Sequence, residues 1–371
     1  MGFVINGKFA SQRITGVQRV AYELTRAMQA RAHSPNELEV VVPHNAADLG
    51  LASRRVRFGA SLKGNLWEQI SLPIATARDT LISLCNTGPL LKRNQVVMVH
   101  DMAVYDVPHA FSKKFLFWYR SKFSILRRQT LLILTVSNFS KSRICHHLKM
   151  DPSNVEVIRP GADHLDRLVA DHSIIGRLSL TKDAYCVIVG SLDPRKNLQR
   201  VLDAIKQLGH IPNIKFVIAG GANARVFAAQ GATTQAVDDR VIWAGFVSDA
   251  ELKALYTDAA CLIFPSLYEG CGLPPLEAMY CGCPVIVSTA ASLPEVCGDA
   301  AMYCDPESVE DIAAKITLMT TSPDLREHHR KTGLQHVGQY RWDHAATRLA
   351  QVLYGERHGG APYLEVQSRT E

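Results

Sequence analysis

Short apolar runs alternate with longer amphipathic stretches along most of the chain. The clearest runs, each bounded by turn residues, are LEVVVP (38–43), VVMVHD (96–101), LLILTVS (131–137), YCVIVGS (185–191), IKFVIAGG (214–221), VIWAG (241–245), CLIFPS (261–266) and CPVIVS (283–288). Strands that read as near-continuous apolar runs are buried on both faces, which is typical of parallel sheets covered by helices. The pattern predicts an α/β protein made of two doubly wound domains.

A polar stretch of weak periodicity, residues 162–184, divides the predicted strands into two groups. It follows a Pro-Gly pair and ends where a new strand begins at Tyr185. Such polar, turn-rich stretches are common at domain boundaries. We therefore predict an N-terminal domain over 1–165 and a C-terminal domain over 166–340. Residues 341–371 are expected to form a helix that returns to the first domain, followed by a loose tail.

Composition fits two folded domains in a reducing compartment. The chain has 371 residues, of which 47% are hydrophobic and 20% charged, enough for a core in each domain. Its nine cysteines are odd in number and lack the spacing of a disulfide scaffold or zinc ribbon. The N-terminus does not resemble a secretory signal, and no apolar run reaches the length of a membrane span. We expect a cytoplasmic protein and leave open contact with the inner face of the membrane.

The charge is unevenly distributed between the two halves. Residues 1–163 carry 22 Lys and Arg against 11 Asp and Glu, whereas residues 164–371 carry 19 against 24, giving the overall net charge of +6. A basic first half favours an anionic partner, such as a phosphate-bearing acceptor or a lipid surface. Nucleic acid is not expected, because the sequence contains no zinc-finger spacing and no aromatic-basic RNA signature.

The strongest chemical signal follows the predicted strand at 261–266. Glu269 and Glu277 are separated by seven residues that include Gly272 and two prolines. Gly272 allows a tight turn, and the prolines suit the first turn of a helix, so we predict Glu269 in a loop and Glu277 in the opening turn of that helix. Open α/β sheets bind ligands at this edge, and a helix N-terminus favours a diphosphate. The alternative is a capping and a solvent-facing glutamate at an ordinary turn.

The segment resembles the family 4 (group 1) retaining glycosyltransferases, whose signature is this pair of glutamates, here Glu269-GCGLPPL-Glu277. The resemblance covers nearly the full length through TGVQRVAYEL (15–24), VHD (99–101), LTVSNFSK (134–141), VIRPGAD (157–163), GSLDPRKNL (190–198), AGFVSDAELKALY (244–256) and SLPEVCGDAA (292–301). It implies the GT-B fold, in which two Rossmann-like domains face a central cleft. It also implies that the C-terminal domain binds a nucleotide-diphosphate sugar and the N-terminal domain the acceptor.

The resemblance assigns roles within the glutamate segment. Glu269 is implied to meet hydroxyl groups of the donor sugar and to act in catalysis, and Glu277 is implied to meet the ribose. Gly272 and Leu273 lie between them and are implied to bind the donor. Cys271 departs from the family, which often has Phe there, and this leaves the identity of the sugar open.

Arg195 and Lys196 lie in DPRKN, directly after the predicted strand at 185–191. Cations at this edge can neutralise a departing nucleotide diphosphate. By resemblance both bind the donor phosphates, and Lys196 stabilises the leaving group. Without the family, a solvated basic turn before a helix would be the preferred interpretation.

Four further candidates lie in the first domain. Gly16 precedes a helix predicted to begin near Val17, so its loop offers backbone N–H groups that the family uses near the donor phosphate and acceptor. His100 ends the predicted strand at 96–101, and by resemblance it positions the sugar and acts in catalysis. Asp101 and Arg19 are acceptor-side candidates. A buried, hydrogen-bonded histidine and a simple Thr-Gly turn are the structural alternatives.

Two other patterns carry weaker predictions. Residues 110–129 mix aromatic and basic side chains over several helical turns, as expected either of a helix on an anionic membrane or of a core-packed helix with a basic outer face. Asp238 and Asp239 are adjacent, but neighbouring carboxylates usually point apart. The resemblance implies a metal-independent enzyme, so we expect no metal and no cofactor besides the nucleotide-sugar substrate.

The resemblance implies a retaining hexosyltransferase. The sequence looks most like bacterial mannosyltransferases of surface polysaccharide synthesis, so GDP-mannose is the first expected donor and a glycan or lipid-linked saccharide the expected acceptor. The alternatives are a nucleotide-sugar epimerase or phosphorylase on the same scaffold, or an inactive sugar-nucleotide-binding protein. A dehydrogenase is disfavoured because no G-x-G-x-x-G follows the first strand.

Overall fold

The computed structural model describes residues 2–32, 38–59, 61–209, 214–220 and 238–355. Within them the chain forms two compact α/β units. The first unit consists of the residues up to Gly161 together with those from Arg341 onward, and the second unit consists of Ala162–Tyr340. The predicted loose tail lies outside the described residues.

The described part of the first unit contains a seven-stranded parallel sheet. Its strands are β1 (Phe3–Asn6), β2 (Leu38–Val42), β3 (Ser53–Arg55), β4 (Thr80–Ser83), β5 (Gln95–Met98), β6 (Leu132–Thr135) and β7 (Val155–Val157). Their order is β3-β2-β1-β4-β5-β6-β7, with Phe3 in register with Leu38 on one side and Thr80 on the other. The strand order therefore reverses between β1 and β4, the place where open α/β sheets bind ligands.

The helices of the first unit connect these strands. They are α1 (Gly16–Arg31), α2 (Gly64–Gln69), α3 (Ser71–Ala75), α4 (Ala103–Asp106), α5 (Lys113–Gln129) and α6 (Asn138–Leu148). Thr15 occupies the N-cap position of α1, and its hydroxyl bonds the Gln18 side chain and not a backbone N–H. Ser137 does cap α6, because its Oγ accepts from the Ser140 backbone N–H at 3.0 Å.

The described part of the second unit contains a six-stranded parallel sheet. Its strands are β8 (Tyr185–Val189), β9 (Lys215–Ala219), β10 (Val241–Gly245), β11 (Cys261–Phe264), β12 (Val285–Ser288) and β13 (Met302–Cys304), in the order β10-β9-β8-β11-β12-β13. Here the strand order reverses between β8 and β11, so the residues that follow these two strands lie at a ligand-binding edge.

The remaining helices are α7 (Ser173–Arg177), α8 (Leu198–Gln207), α9 (Asp249–Asp258), α10 (Leu273–Tyr280), α11 (Leu293–Cys297), α12 (Val309–Thr321), α13 (Pro323–Val337) and α14 (Trp342–Tyr354). The last of these, α14, belongs to the first unit. It packs against that unit through an edge-on contact between the rings of Tyr354 and Phe3, whose centroids are 4.9 Å apart. An ion pair of 2.5 Å joins Asp343 to Arg31 of α1.

The eight predicted apolar strands are confirmed, and the packing explains their composition. Along β8, Tyr185 and Val187 face one core cluster of the second unit, whereas Cys186 and Ile188 face another. Both faces of the strand are therefore buried, and each large apolar side chain taken from water contributes about 1.5–3 kcal/mol.

Candidate functional site

The loop after β8 presents two cations at the carboxyl edge of the second sheet. Asp193 caps a short turn, Pro194–Lys196, by accepting from the Arg195 backbone N–H at 3.0 Å. The Arg195 guanidinium folds back onto the same carboxylate, with its Nη2 2.6 Å from Oδ2. Burial raises the pKa of Asp193, but the hydrogen bonds and charge of Arg195 outweigh burial and hold that pKa below its usual value. Arg195 and Asp193 therefore form a charged, local pair.

Lys196 reaches across to the loop after the neighbouring strand, β11. Its Nζ lies 2.5 Å from Oε1 of Glu269, and the two side chains are 24% and 14% exposed. The ammonium also lies 5.0 Å from the ring centroid of Phe264, the last residue of β11. A small cavity at this edge is lined by Lys196, Phe264 and the loop after β8. The fold thus brings together a cation and a carboxylate that stand 73 positions apart in the sequence.

Asn197 fixes the geometry of the lysine loop, and sequence reasoning missed it. This buried residue adopts a left-handed conformation with φ of 61°. Its side-chain amide donates to the carbonyls of Pro265 at 3.0 Å and Pro306 at 2.6 Å. Asparagine tolerates this backbone conformation better than most residues, so the asparagine directly after the basic pair was the available signal.

Two glycines allow the strand ends to approach closely. Gly190 follows β8 and Gly220 follows β9, and a Cβ on Gly220 would lie 1.8 Å from the Gly190 carbonyl oxygen. Gly220 also has a φ of +156°, which side-chain-bearing residues rarely adopt. A Cβ on Gly190 would lie 3.2 Å from Cγ of Lys196. The bare backbone at Gly190 therefore makes room for the lysine stem.

Gly272 is the last residue of the loop that contains Glu269, and it occupies the N-cap position of α10. Its φ of +85° favours glycine, and a Cβ would lie 2.6 Å from Leu293 of α11. Leu273 is the first helical residue, and the two prolines follow it in the first turn as predicted. Glu277 is consequently the fifth residue of the helix, so its predicted place in the opening turn is wrong. The helix begins at Leu273, and Glu277 lies in the second turn.

Glu277 is nearly buried and contacts a histidine that sequence reasoning did not select. Its Oε1 lies 3.2 Å from Nε2 of His164, and the two side chains are 11% and 2% exposed. His164 lies in a short turn, Asp163–Arg167, at the start of the second unit. Through this contact, His164 holds one carboxylate oxygen of Glu277 in place. No local pattern marks His164, because its partner is distant in sequence.

His100 is buried in the first unit. Its Nε2 lies 2.8 Å from the Leu84 carbonyl oxygen, its backbone N–H donates to Asn86, and its own carbonyl accepts from Ser140. Burial lowers the pKa of the imidazole, although the Leu84 carbonyl and Asp101 act in the opposite direction. The ring is therefore neutral at neutral pH, with Nε2 donating to Leu84 and Nδ1 left as the acceptor.

The other first-unit candidates are Asp101, Gly16 and Arg19, which lie at or near the starts of helices α4 and α1. Asp101 accepts from the Ala103 backbone N–H at 2.9 Å, at the start of α4. Gly16 is exposed at the start of α1, and a Cβ on it would meet nothing within 4 Å. Arg19 lies one turn later, with its backbone N–H bonded to Thr15. These four candidates belong to the first unit, whereas Arg195, Lys196, Glu269, Gly272, Leu273 and Glu277 belong to the second.

Helix α5 has one face packed in the core and an outer face that exposes both aromatic and basic side chains. Phe123 and Leu126 are buried against the sheet, whereas Phe117 is 75% and Trp118 45% exposed. Lys113 and Lys114 are exposed at the beginning of the same helix. The outer face therefore carries aromatic as well as basic side chains. In the described part of the chain, no helix combines the length and apolarity needed to cross a bilayer.

Asp238, the first of the two adjacent aspartates, takes part in an ion pair. Asp238 binds the Arg240 guanidinium, with its Oδ2 2.7 Å from Nη2. Within the ranges that the structure describes, no group of three or more His, Cys, Asp or Glu side chains is arranged to hold a metal ion.

The two parallel-sheet α/β units have the fold of GT-B glycosyltransferases, as matches to solved structures show. A solved structure of WaaG, a glycosyltransferase involved in lipopolysaccharide biosynthesis, matches with a TM-score of 0.73 at 17% identity, covering 96% of this chain and 100% of that one. A sucrose-phosphate synthase from Thermosynechococcus elongatus matches with a TM-score of 0.72 at 17% identity, over 94% and 97% of the two chains. At this identity the matches show the fold alone.

Family models cover both units. Residues 174–336 match the glycosyl transferases group 1 model, and residues 14–164 match glycosyltransferase family 4. The chain therefore belongs to the family 4 (group 1) glycosyltransferases and is a glycosyltransferase. It is 29% identical over 271 residues to O-antigen chain mannosyltransferase B of Escherichia coli, spanning 68% of each chain. It is 30% identical over 239 residues to O-antigen chain mannosyltransferase RfbU of Salmonella typhimurium, spanning 64% of each.

Proposed function

We propose that this chain transfers mannose from GDP-mannose, with retention of anomeric configuration, to a glycan or lipid-linked saccharide in surface polysaccharide synthesis. The two relatives are O-antigen chain mannosyltransferases, which supports the sugar and the class of acceptor. The proposal depends chiefly on one observation, the 2.5 Å contact between Lys196 and Glu269 at the point where the strand order reverses.

This contact supports a donor site because its two groups match two parts of a nucleotide-diphosphate sugar. The ammonium of Lys196 suits a phosphate oxygen, and the second oxygen of Glu269 suits sugar hydroxyls. The pair is accessible enough for the lysine to exchange the carboxylate for a phosphate when the donor enters. Arg195 adds a second cation in the same loop, and Glu277, fixed by His164, is proposed to bind the ribose.

The proposed chemistry is electrostatic. As the bond between the sugar and the diphosphate breaks, negative charge grows on the leaving phosphate, and Lys196 with Arg195 stabilises it. The acceptor hydroxyl attacks the anomeric carbon on the face from which the phosphate departs and gives its proton to the departing phosphate oxygen. The products are the glycosylated acceptor and GDP, and the configuration is retained. We assign no covalent nucleophile and no metal. Gly16, Arg19, His100 and Asp101 of the first unit are proposed to position the sugar and the acceptor.

Thermal stabilisation by a panel of nucleotide sugars identifies the donor, because a ligand that binds only the folded chain raises its apparent stability. We expect GDP-mannose to give the largest shift. Release of free GDP is then measured with and without acceptor saccharide. Acceptor-dependent release supports transfer, whereas sugar conversion without release indicates an epimerase and no turnover indicates an inactive binding protein.

Three alanine variants test the residues. Lys196→Ala, Glu269→Ala and Glu277→Ala are each expected to lose transfer activity, by about 100-fold or more for Lys196. Lys206→Ala is the matched control, since Lys206 pairs with Asp203 on the exposed face of α8. Near-normal turnover in all three variants would refute the assignment.

The outer face of α5 supports a further part of this proposal, peripheral contact with an anionic membrane. Its exposed aromatic side chains can enter the headgroup region while the lysines attract acidic lipids, each contributing about 1 kcal/mol. Sedimentation with phosphatidylglycerol vesicles is expected to carry the protein down, and F117S/W118S is expected to reduce this. The control is L318S, an equally exposed apolar side chain of the second unit. Equal sedimentation of both variants would exclude α5 as the contact.

A further inference from the structure

A buried polar cluster lies where the strand order of the first sheet reverses. We call it the Glu68 cluster, formed by Asn6 at the end of β1, Lys8 just beyond it, Glu68 of α2 and Thr87 beyond β4. All four side chains are buried. Because β1 and β4 are the strands between which the order reverses, the cluster lies at the edge where sheets of this type bind ligands.

Glu68 is already satisfied within this cluster. Its Oε2 lies 2.7 Å from Lys8 Nζ and accepts from Thr87 Oγ1 at 3.1 Å, while its Oε1 accepts from Asn6 Nδ2 at 3.0 Å. The carboxylate therefore has three donors around it and is committed to Lys8. A second cation in the neighbourhood would need another anion.

Lys122 of α5 is that second cation. It is only 2% exposed, yet its Nζ makes no ion pair with any carboxylate of the described residues. Its contacts are the rings of Trp118, with the centroid 4.6 Å from Nζ, and Tyr119, at 6.0 Å. Glu68 and Lys8 are the charged groups that act on it. Burial lowers the pKa of Lys122, Glu68 raises it, and Lys8 lowers it further.

The charges around Lys122 do not balance. Glu68 is paired with Lys8 and accepts from Thr87 and Asn6, whereas Lys122 has no ion pair with a carboxylate of the described residues. Cation–π contacts contribute only about 0.5–2 kcal/mol and do not replace an ion pair for a buried lysine. An incoming anion would restore the balance, and lysine is well suited to phosphate as a compact point charge.

Resting on the proposed transfer function, we propose that Lys122, with the Glu68 cluster as its support, binds a phosphate group carried by the acceptor. The aromatic rings of Trp118 and Tyr119 hold the ammonium group of Lys122 in place, and the Lys8–Glu68 pair prevents Glu68 from neutralising Lys122. Its residues differ from those proposed for the donor diphosphate: Lys122 and the Glu68 cluster belong to the first unit, whereas Arg195 and Lys196 belong to the second.

The test is phosphate binding in the presence of saturating GDP, which occupies the donor site. Inorganic phosphate is titrated against the wild type, Lys122→Met and Lys122→Arg, with thermal stabilisation and calorimetry as readouts. Methionine suits the aromatic surroundings, so Lys122→Met is expected to fold. Lys113→Met is the matched control, an exposed lysine of the same helix.

We expect Lys122→Met to bind phosphate roughly 10-fold more weakly or worse, the size of one charge-assisted hydrogen bond. Lys113→Met is expected to bind like the wild type, and Lys122→Arg to retain most of the affinity. Equal phosphate affinity in the wild type and Lys122→Met would overturn the proposal. Acetate binding as strongly as phosphate would overturn the choice of phosphate.

The outcome for GDP separates this proposal from the proposed function. If neither the wild type nor any variant binds GDP, the donor assignment fails. The phosphate affinities of Lys122→Met and Lys113→Met can still be compared, and this comparison decides whether Lys122 binds phosphate. If GDP binds normally and phosphate affinity ignores Lys122, only the phosphate site fails.

Discussion

The two units place an ion pair at the same point of the same architecture, yet the pairs differ in access to solvent. In the second unit, the Lys196 and Glu269 side chains are 24% and 14% exposed. In the first unit, the Lys8 and Glu68 side chains are 7% and 0% exposed. The first-unit carboxylate has three donors, so a ligand has no route to displace them. An exchangeable pair is suited to binding, whereas a sealed pair is suited to holding the scaffold.

The difference shows that chemistry-bearing residues at a strand edge do not by themselves make a site. Unmet bonding capacity decides. By that criterion, the candidate binding group of the second unit is the exchangeable Lys196–Glu269 pair. In the first unit it is Lys122, which has no carboxylate partner among the described residues although it is only 2% exposed.

The largest effect is expected from Glu68→Gln, which would leave Lys8 as an uncompensated buried charge. Breaking a buried pair in this way costs about 3–5 kcal/mol of unfolding free energy. The control is Glu39→Gln, which breaks an exposed pair with Arg54 in the same unit and should cost less than about 1 kcal/mol. Urea denaturation measures both, and equal losses would remove the distinction between sealed and open pairs.

A smaller effect is expected from His164→Leu, which removes the partner of Glu277. Loss of one buried hydrogen bond, about 1–2 kcal/mol, corresponds to roughly 10-fold weaker GDP binding. If Glu277 binds the ribose, the variant should lose affinity for GDP but not for 2′-deoxy-GDP. The control is His172→Leu, a histidine that pairs with Asp258 at the surface. The same loss for both nucleotides would argue against the ribose role.

The smallest effect concerns pH. Burial holds the pKa of His100 below 6.5, so the unfolded chain takes up a proton before the folded chain does as the pH falls. Stability is therefore expected to fall as the pH drops below 6.5, by at most about 1.4 kcal/mol per pH unit. His100→Gln should flatten this dependence. His329, whose pKa burial also lowers, supplies a slope common to both proteins. Identical slopes would show that His100 protonates as readily folded as unfolded.

The fold could be predicted largely from buried strands. Apolar runs such as those of β8 and β11 mark strands whose two faces are both covered. The edge strand β3 gave no such signal, because Ser53, Arg54 and Arg55 are exposed and polar. The short β13, Met302–Cys304, is half-buried, and its three residues are too few to give a strand pattern.

The candidate site could be predicted in part. Glu269 and Lys196 were both expected at strand edges, and their contact follows from the adjacency of β8 and β11. The partner of Glu277 could not be predicted, because His164 reaches it only through tertiary packing. The unpaired state of Lys122 was equally hidden, since sequence shows a lysine among aromatics but not the missing carboxylate.

The most direct test of the central claim is the affinity of Lys196→Met for GDP, measured by calorimetry beside the wild type and the surface control Lys206→Met. An exchangeable, partly exposed pair predicts a loss of about 10-fold or more in affinity, with unfolding free energy changed by less than about 1 kcal/mol. Unchanged affinity for GDP, or a loss explained by unfolding of the variant, would contradict the claim that this pair is the donor phosphate site.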